Sequence, residues 1–265
     1  MTLAMRGPLR ALPDAEPGET VLRVRDVGKA YGPIGNRVLA LEGISLEVRR
    51  GEFLCLVGAS GCGKSTLLNL ITELDRPSMT ISPADGRASL LFQEAALFPW
   101  LTAAGNIDLP MRLARVPGHK RQHEVERLLE LVHLSDFGAK LPHELSGGMR
   151  QRVAVARALA QNADILLMDE PFGSLDAMTR DLLHDELERI WRETGVTIVF
   201  VTHDVREAVR LGDRIVVLTS RPGKVADEFG VDLPRPRNIA SAEVGELAAT
   251  VTDRLRAEVR RHADD

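Results

Sequence analysis

The run that most constrains this chain is Gly58, Ala59, Ser60, Gly61, Cys62, Gly63, Lys64, Ser65 and Thr66. It satisfies the pattern G-x-x-x-x-G-K-[ST]. Before it, residues 53–57 are unbroken apolar sequence, which predicts a buried strand. After it, residues 65–74 set Leu67, Leu68, Leu70 and Ile71 on one helical face. A strand that turns through glycines into a helix can curl until several backbone N–H groups point inward. The helix N-terminus adds partial positive charge. Such a cradle takes a polyphosphate. Lys64 is expected to reach the β- and γ-phosphates, and the Ser65 hydroxyl to ligate Mg²⁺.

The rest of the chain repeats the strand-then-helix alternation. Residues 21–25 and 46–48 alternate apolar with charged or polar side chains, as half-buried strands do. Residues 89–92, 165–168 and 196–201 are buried-strand runs. Helices are predicted over 124–132, 149–160, 178–192 and 205–210, and a terminal helix from Ala242. Residues 215–218 and 225–229 predict a hairpin around Arg221, Pro222, Gly223 and Lys224. The pattern implies an α/β fold with a mainly parallel sheet and helices on both faces. Residues 97–105, with Phe98, Pro99 and Trp100, read as a loop carrying an apolar cluster. The expected layout is a flexible leader (1–20), a main domain (21–236) with a helical lobe near 94–147, and a helical tail (237–265).

Bulk properties exclude several classes. The net charge of −4 makes no case for nucleic acid as a partner. No apolar run approaches the roughly 18–20 residues of a membrane span. The leader lacks the apolar core of a secretory signal. Cys55 and Cys62 are the only cysteines, too few for a disulfide scaffold and without CxxC spacing, so both are expected as reduced thiols.

Two further pieces carry chemistry. The apolar run 165–168 ends in Asp169 and Glu170, which places two carboxylates at the C-terminal edge of the sheet, where open α/β sheets bind ligands. Asp169 is expected to hold Mg²⁺ through water, and Glu170 to polarise an attacking water. Upstream, Leu145, Ser146, Gly147, Gly148, Met149, Arg150 and Gln151 read as an N-capping serine and two glycines at a helix start, a second anion site.

Together with Gln93, Asp176 and His203, these pieces resemble the nucleotide-binding subunit of an ATP-binding cassette (ABC) transporter, over residues 21–236. The Leu-Ser-Gly-Gly-Met-Arg-Gln run is the specific element. The resemblance implies a P-loop cassette fold with an N-terminal antiparallel β subdomain and a helical lobe, with ATP and Mg²⁺ as cofactors. It implies that Tyr31 stacks on adenine and that Gln93 joins the Mg²⁺ shell and senses a membrane partner. Ser146, Gly147 and Gly148 would grip the γ-phosphate held by a second copy. Asp176 lies in the loop crossing that dimer interface, and His203 would contact the γ-phosphate. ATP then closes a head-to-tail dimer and hydrolysis reopens it.

The implied partners are a second copy, integral membrane permease subunits and, indirectly, an extracytoplasmic solute-binding protein. The implied place is the cytoplasmic face of the cell membrane. The runs from Gln93 to Thr102 and from Ser220 to Lys224, with Asp232 to Pro236, are similar to the nitrate, sulfonate and taurine importer group. The chain after His203 is too short for the regulatory barrel of sugar importers. The cluster of Leu97, Phe98, Pro99 and Trp100 is then expected to receive the permease. Two features depart from the pattern: Glu73 replaces a usual glycine, and residues 77–87 are short with Met79 and Thr80 where a glycine is usual, which leaves the small antiparallel hairpin open. A chromosome-structure ATPase needs a coiled coil between Lys64 and Ser146, for which there is no room. A non-hydrolysing regulator would be expected to lack Glu170 or His203, and a translation factor would carry two cassettes.

Overall fold

The computed structural model describes residues 18–33, 35–75, 81–83 and 87–261. The expected leader up to residue 17, and Met79 and Thr80, lie outside the described residues. Two long strands, β1 (Thr20–Tyr31) and β2 (Val38–Arg49), pair antiparallel. β3 (Phe53–Gly58) follows, buried at every position. β4 (Ile81–Pro83) pairs with the other edge of β1, so the antiparallel sheet left open by the short 77–87 segment is present, in the order β2-β1-β4.

The main sheet has the order β5-β6-β7-β3-β8-β9. β5 (Ala88–Leu91), β6 (Ile165–Asp169), β7 (Thr197–Thr202) and β8 (Arg214–Leu218) run parallel with β3, and β9 (Val225–Gly230) closes the edge antiparallel. Side chains alternate across each strand. Phe53, Cys55 and Val57 therefore join Phe200, Met168 and Ile215 in one core layer. Leu54 and Leu56 join Val199, Val201, Leu167 and Val216 in the other. Burying a side chain of this size contributes roughly 1.5–3 kcal/mol. That outweighs propensity differences and fixes β3 in the middle.

The first layer is covered by α4 (Gly147–Leu159), α5 (Ala177–Thr194), α6 (Val205–Leu211) and α7 (Ala242–Arg261), with α2 (Ala103–Leu113) and α3 (Gly118–Leu131) beside them. The second is covered by α1 (Lys64–Ile71) and the β1–β2 sheet. The expected architecture, a parallel core with an antiparallel N-terminal subdomain and a helical lobe, is the one found. No helix among the described residues is long and apolar enough to cross a membrane.

Boundaries differ from the sequence reading for local reasons. α1 stops at Ile71, because Glu73 adopts a left-handed φ of 58° and Leu74 turns out to solvent. The stretch read as a loop over 97–105 runs into α2 at Ala103, capped by the Thr102 hydroxyl, which accepts from the Gly105 N–H at 3.1 Å. Asn106, fully buried, folds that loop. Its Oδ1 accepts from the Phe98 N–H at 2.8 Å, and its Nδ2 donates to the carbonyls of Phe98, Leu101 and Thr102 at 3.2, 3.1 and 3.0 Å. Replacing Asn106 with Ala orphans these buried groups. The expected loss is about 2–3 kcal/mol in urea denaturation, and a change below about 0.5 kcal/mol would refute this account of the loop.

Candidate functional site

Strand register gathers the chemistry. Val57 pairs with Thr202 and Asp169 with Val201, so β3, β6 and β7 end side by side. The phosphate loop, the two carboxylates and His203 all leave from this edge.

The loop's shape rests on two glycines. Gly61 and Gly63 hold φ of 76° and 101°, which L side chains rarely adopt. A Cβ on Gly63 would also stand 2.5 Å from the Leu41 side chain. Lys64 opens α1 and is buried. Its Nζ donates to the Gly58 and Ala59 carbonyls at 2.8 and 3.1 Å, so the ammonium lies inside the loop. The Cys62 Sγ is 3.9 Å away, and burial pushes its thiol above the usual range while Lys64 opposes the rise. The Arg221 Nε, from the β8–β9 turn, donates to the Gly61 carbonyl at 3.2 Å. Nothing in the sequence marked Arg221 as touching this loop.

Burial pushes the Asp169 carboxyl above its ordinary range, the Ser65 hydroxyl opposes the rise, the Glu170 charge adds to it and Lys64 lowers it. A partly buried carboxylate beside a hydroxyl is a hard-oxygen donor set, and a cation would relieve its desolvation. Ser65 and Asp169 thus fit Mg²⁺. Glu170 sits at a left-handed φ of 46°, and its N–H donates to the Val201 carbonyl at 3.1 Å. This turn carries its carboxylate out of line with β6 and over the end of β7. There Oε2 meets His203 Nδ1 at 3.0 Å. Gln93, exposed after β5, approaches the same place: its Nε2 and Glu170 Oε2 lie 3.4 and 3.8 Å from where a Gly173 Cβ would stand.

The other expected residues lie further out. Tyr31 ends β1 with its ring half exposed, and its hydroxyl donates to Asp75 Oδ2 at 2.9 Å just past α1. Lys29 Nζ lies 5.2 Å from the ring centroid. Ser146 caps α4 by accepting from the Met149 N–H at 3.2 Å. Gly147 and Gly148 face Leu175 and Thr179, where a Cβ would come within 3.0 Å of either side chain, so the signature turn packs against the start of α5 of its own chain. Asp176 caps α5, accepting from the Thr179 N–H at 3.0 Å and its hydroxyl at 2.6 Å. The Thr179 hydroxyl holds the Asp176 carboxyl below its usual range. The fold therefore brings Lys64, Ser65, Asp169, Glu170, Gln93 and His203 to one edge, while Ser146, Gly147, Gly148 and Asp176 cluster around α4 and α5.

The family model described as ABC transporter matches residues 41–173. The chain is 44% identical to the aliphatic sulfonates import ATP-binding protein SsuB of Bacillus licheniformis, over 83% of this chain and 88% of that protein. It is 41% identical to the nitrate import ATP-binding protein NrtD of a Synechocystis strain, over 80% and 83%. It is 50% identical to the bicarbonate transport ATP-binding protein CmpC of Synechococcus elongatus, over 77% of this chain but 32% of that longer protein. Among solved structures, it is similar to an ATP-binding cassette captured as a dimer in a post-hydrolysis state with ADP and Pi, at a TM-score of 0.69 and 33% identity, covering 80% of this chain and all of that one.

The raised Asp169 carboxyl has a testable consequence. A carboxyl raised by folding binds protons more tightly in the native state, so its cost is present at neutral pH and fades as pH falls through its folded pKa. Asp169→Asn is expected to raise the urea midpoint of the nucleotide-free, Mg²⁺-free protein at pH 7, with a smaller difference near pH 4. A lower midpoint for the variant at pH 7 would contradict the assignment.

Proposed function

From the premise that the chain belongs to the ABC transporter family and is its ATP-hydrolysing subunit, we propose that it powers import of a small oxyanion through a membrane permease. The observation that carries the hydrolytic half is the 3.0 Å contact between Glu170 Oε2 and His203 Nδ1 beside the phosphate loop.

In this reading the N–H groups of residues 59–66 and Lys64 hold the phosphates, and Tyr31 covers the adenine. Ser65, Asp169 and Gln93 would hold Mg²⁺, which would supply charge neutralisation on the phosphate oxygens. Glu170 accepts the proton of the attacking water. His203 orients that carboxylate through Nδ1 and meets the γ-phosphate. Lys64, now bonded to its own loop, exchanges the Gly58 and Ala59 carbonyls for phosphate oxygens when ATP enters. Ser146, Gly147 and Gly148 open α4, which covers the opposite core layer from the α1 that Lys64 opens, so in this reading they serve the ATP of a second copy, with Asp176 at the crossing. The dimer of the similar solved cassette supports this arrangement.

The domain division expected from the sequence is kept in this reading: a cassette over 21–236, its helical lobe near 94–147, and a tail from 237 whose α7 packs on α6. The chain works at the cytoplasmic face of the membrane, with an extracytoplasmic binding protein delivering solute to the permease. Sulfonate, nitrate and bicarbonate, named for the three relatives, share a compact anionic oxygen head. An aliphatic sulfonate, taurine or a nitrate-like anion is the solute class proposed. The permease is received at Phe98 and Trp100, whose ring centroids lie 5.5 Å apart with the planes tilted by 50°, and of which Trp100 is 73% exposed.

Glu170→Gln is expected to bind ATP with parental affinity, to accumulate as an ATP-bound dimer and to lose turnover by about 10²–10⁴-fold. Parental hydrolysis by that variant would remove Glu170 from the mechanism. Trp100→Ala is expected to leave the basal ATPase of the isolated chain unchanged and to weaken co-purification with an integral membrane partner. Undiminished co-purification would remove Trp100 from the docking surface.

A further inference from the structure

Gln151 lies on α4, past the serine that caps it, and is 3% exposed. Its Nε2 donates to two backbone carbonyls, those of Gln93 at 2.8 Å and Pro171 at 2.6 Å. Both neighbours are acceptors, so only the amide nitrogen can face them, and the orientation of the amide follows from its surroundings. Its Oε1 is buried without a partner among the described residues. An apolar residue of the same length would remove the orphaned Oε1 but leave the Gln93 and Pro171 carbonyls without this donor, so the side chain does more than fill volume.

The two carbonyls belong to the segments that carry the chemistry. Gln93 bears the amide assigned to the Mg²⁺ shell, and Pro171 follows the carboxylate assigned to the attacking water. Those two side chains both approach Gly173, within 3.4 and 3.8 Å of where its Cβ would stand. Further along α4, Arg157 donates to the Ala96 and Ala95 carbonyls at 2.8 and 3.0 Å, and its guanidinium carbon lies 5.9 Å from the Phe98 ring centroid. The helix that begins at the signature therefore grips the segment 93–98 at two points, and at one of them it also grips the turn after Glu170.

We propose that Gln151 is a positioning residue for hydrolysis: its amide sets the spacing between Gln93 and Glu170 and ties that spacing to α4. Displacement of the permease-facing loop at Phe98 then reaches the catalytic carboxylate through one side chain. The inference rests on the proposed roles of Gln93 and Glu170.

The test uses the full chain with MgATP. Gln151→Met keeps the length and removes both donors, and Gln151→Glu retains one donor when protonated. For Gln151→Met, kcat is expected to fall about 10–100-fold, the scale of an ångström of misplacement. KM for ATP should stay near the parental value, and more Mg²⁺ should be required for half-maximal rate. Gln151→Glu should lie between that variant and the parent where it is protonated, and should fall at least as far as Gln151→Met where it is ionised, because a carboxylate has no proton to donate to the two carbonyls. A folded Gln151→Met with parental kcat and parental Mg²⁺ dependence overturns the inference. If that variant fails to fold, Gln151→Glu carries the test, and parental kcat and Mg²⁺ dependence in it overturn the inference equally. Gln93→Ala in the same assay separates the two levels. An unchanged Mg²⁺ requirement there removes the reading of Gln93, whereas a raised requirement with a parental Gln151→Met removes only the role of Gln151.

Discussion

The structure depends on one packing constraint, the complete burial of β3 between two core layers. A strand with no solvent face must lie in the sheet's interior, so β7 and β8 flank it and every parallel partner ends at the same edge. The phosphate loop inherits its place from that edge. Its open shape comes from left-handed Gly61 and Gly63 and from Leu41 of β2 pressed against Gly63. The antiparallel sheet therefore does more than shield the core, because it forms one wall against which the loop is set. The β8–β9 turn forms another. The Gly223 N–H donates to the Ala40 carbonyl, and Arg221 reaches the Gly61 carbonyl.

Electrostatics at the edge are poised for a ligand. Lys64 satisfies its charge on loop carbonyls, and Asp169 carries a desolvation cost that Ser65 and Lys64 offset only in part. On the proposed function, a magnesium polyphosphate would relieve both, exchanging neutral carbonyls for anionic oxygens at the lysine and adding a cation at the carboxylate. Glu170 is kept apart from this exchange by its left-handed backbone, which turns its side chain toward His203. Two adjacent carboxylates thus have different surroundings.

Much of this was legible in the residues. The apolar run 53–57, the glycines after it and the carboxylates after 165–168 located the edge correctly, because periodicity and turn chemistry are local. The boundaries that shifted did so where side-chain hydrogen bonds or backbone conformation, which apolar periodicity does not encode, set the local structure. Asn106 carries four hydrogen bonds that convert a loop-like sequence into a folded entry to α2. The strand read over 21–25 extends as β1 to Tyr31, because pairing with β2 continues to Val38. Gln151 was visible as part of a motif without a task, since its two partners lie far away in the chain.

The sequence by itself determined the phosphate cradle, the strand-helix alternation and the family, since each is encoded by residues adjacent in the chain. The pairing of Glu170 with His203, the approach of Gln93, the grip of Gln151 and the contact of Arg221 with the loop were decided only by the tertiary structure. Each depends on the lateral order and register of strands, which follow from how the whole set of apolar faces is buried together and not from any one segment.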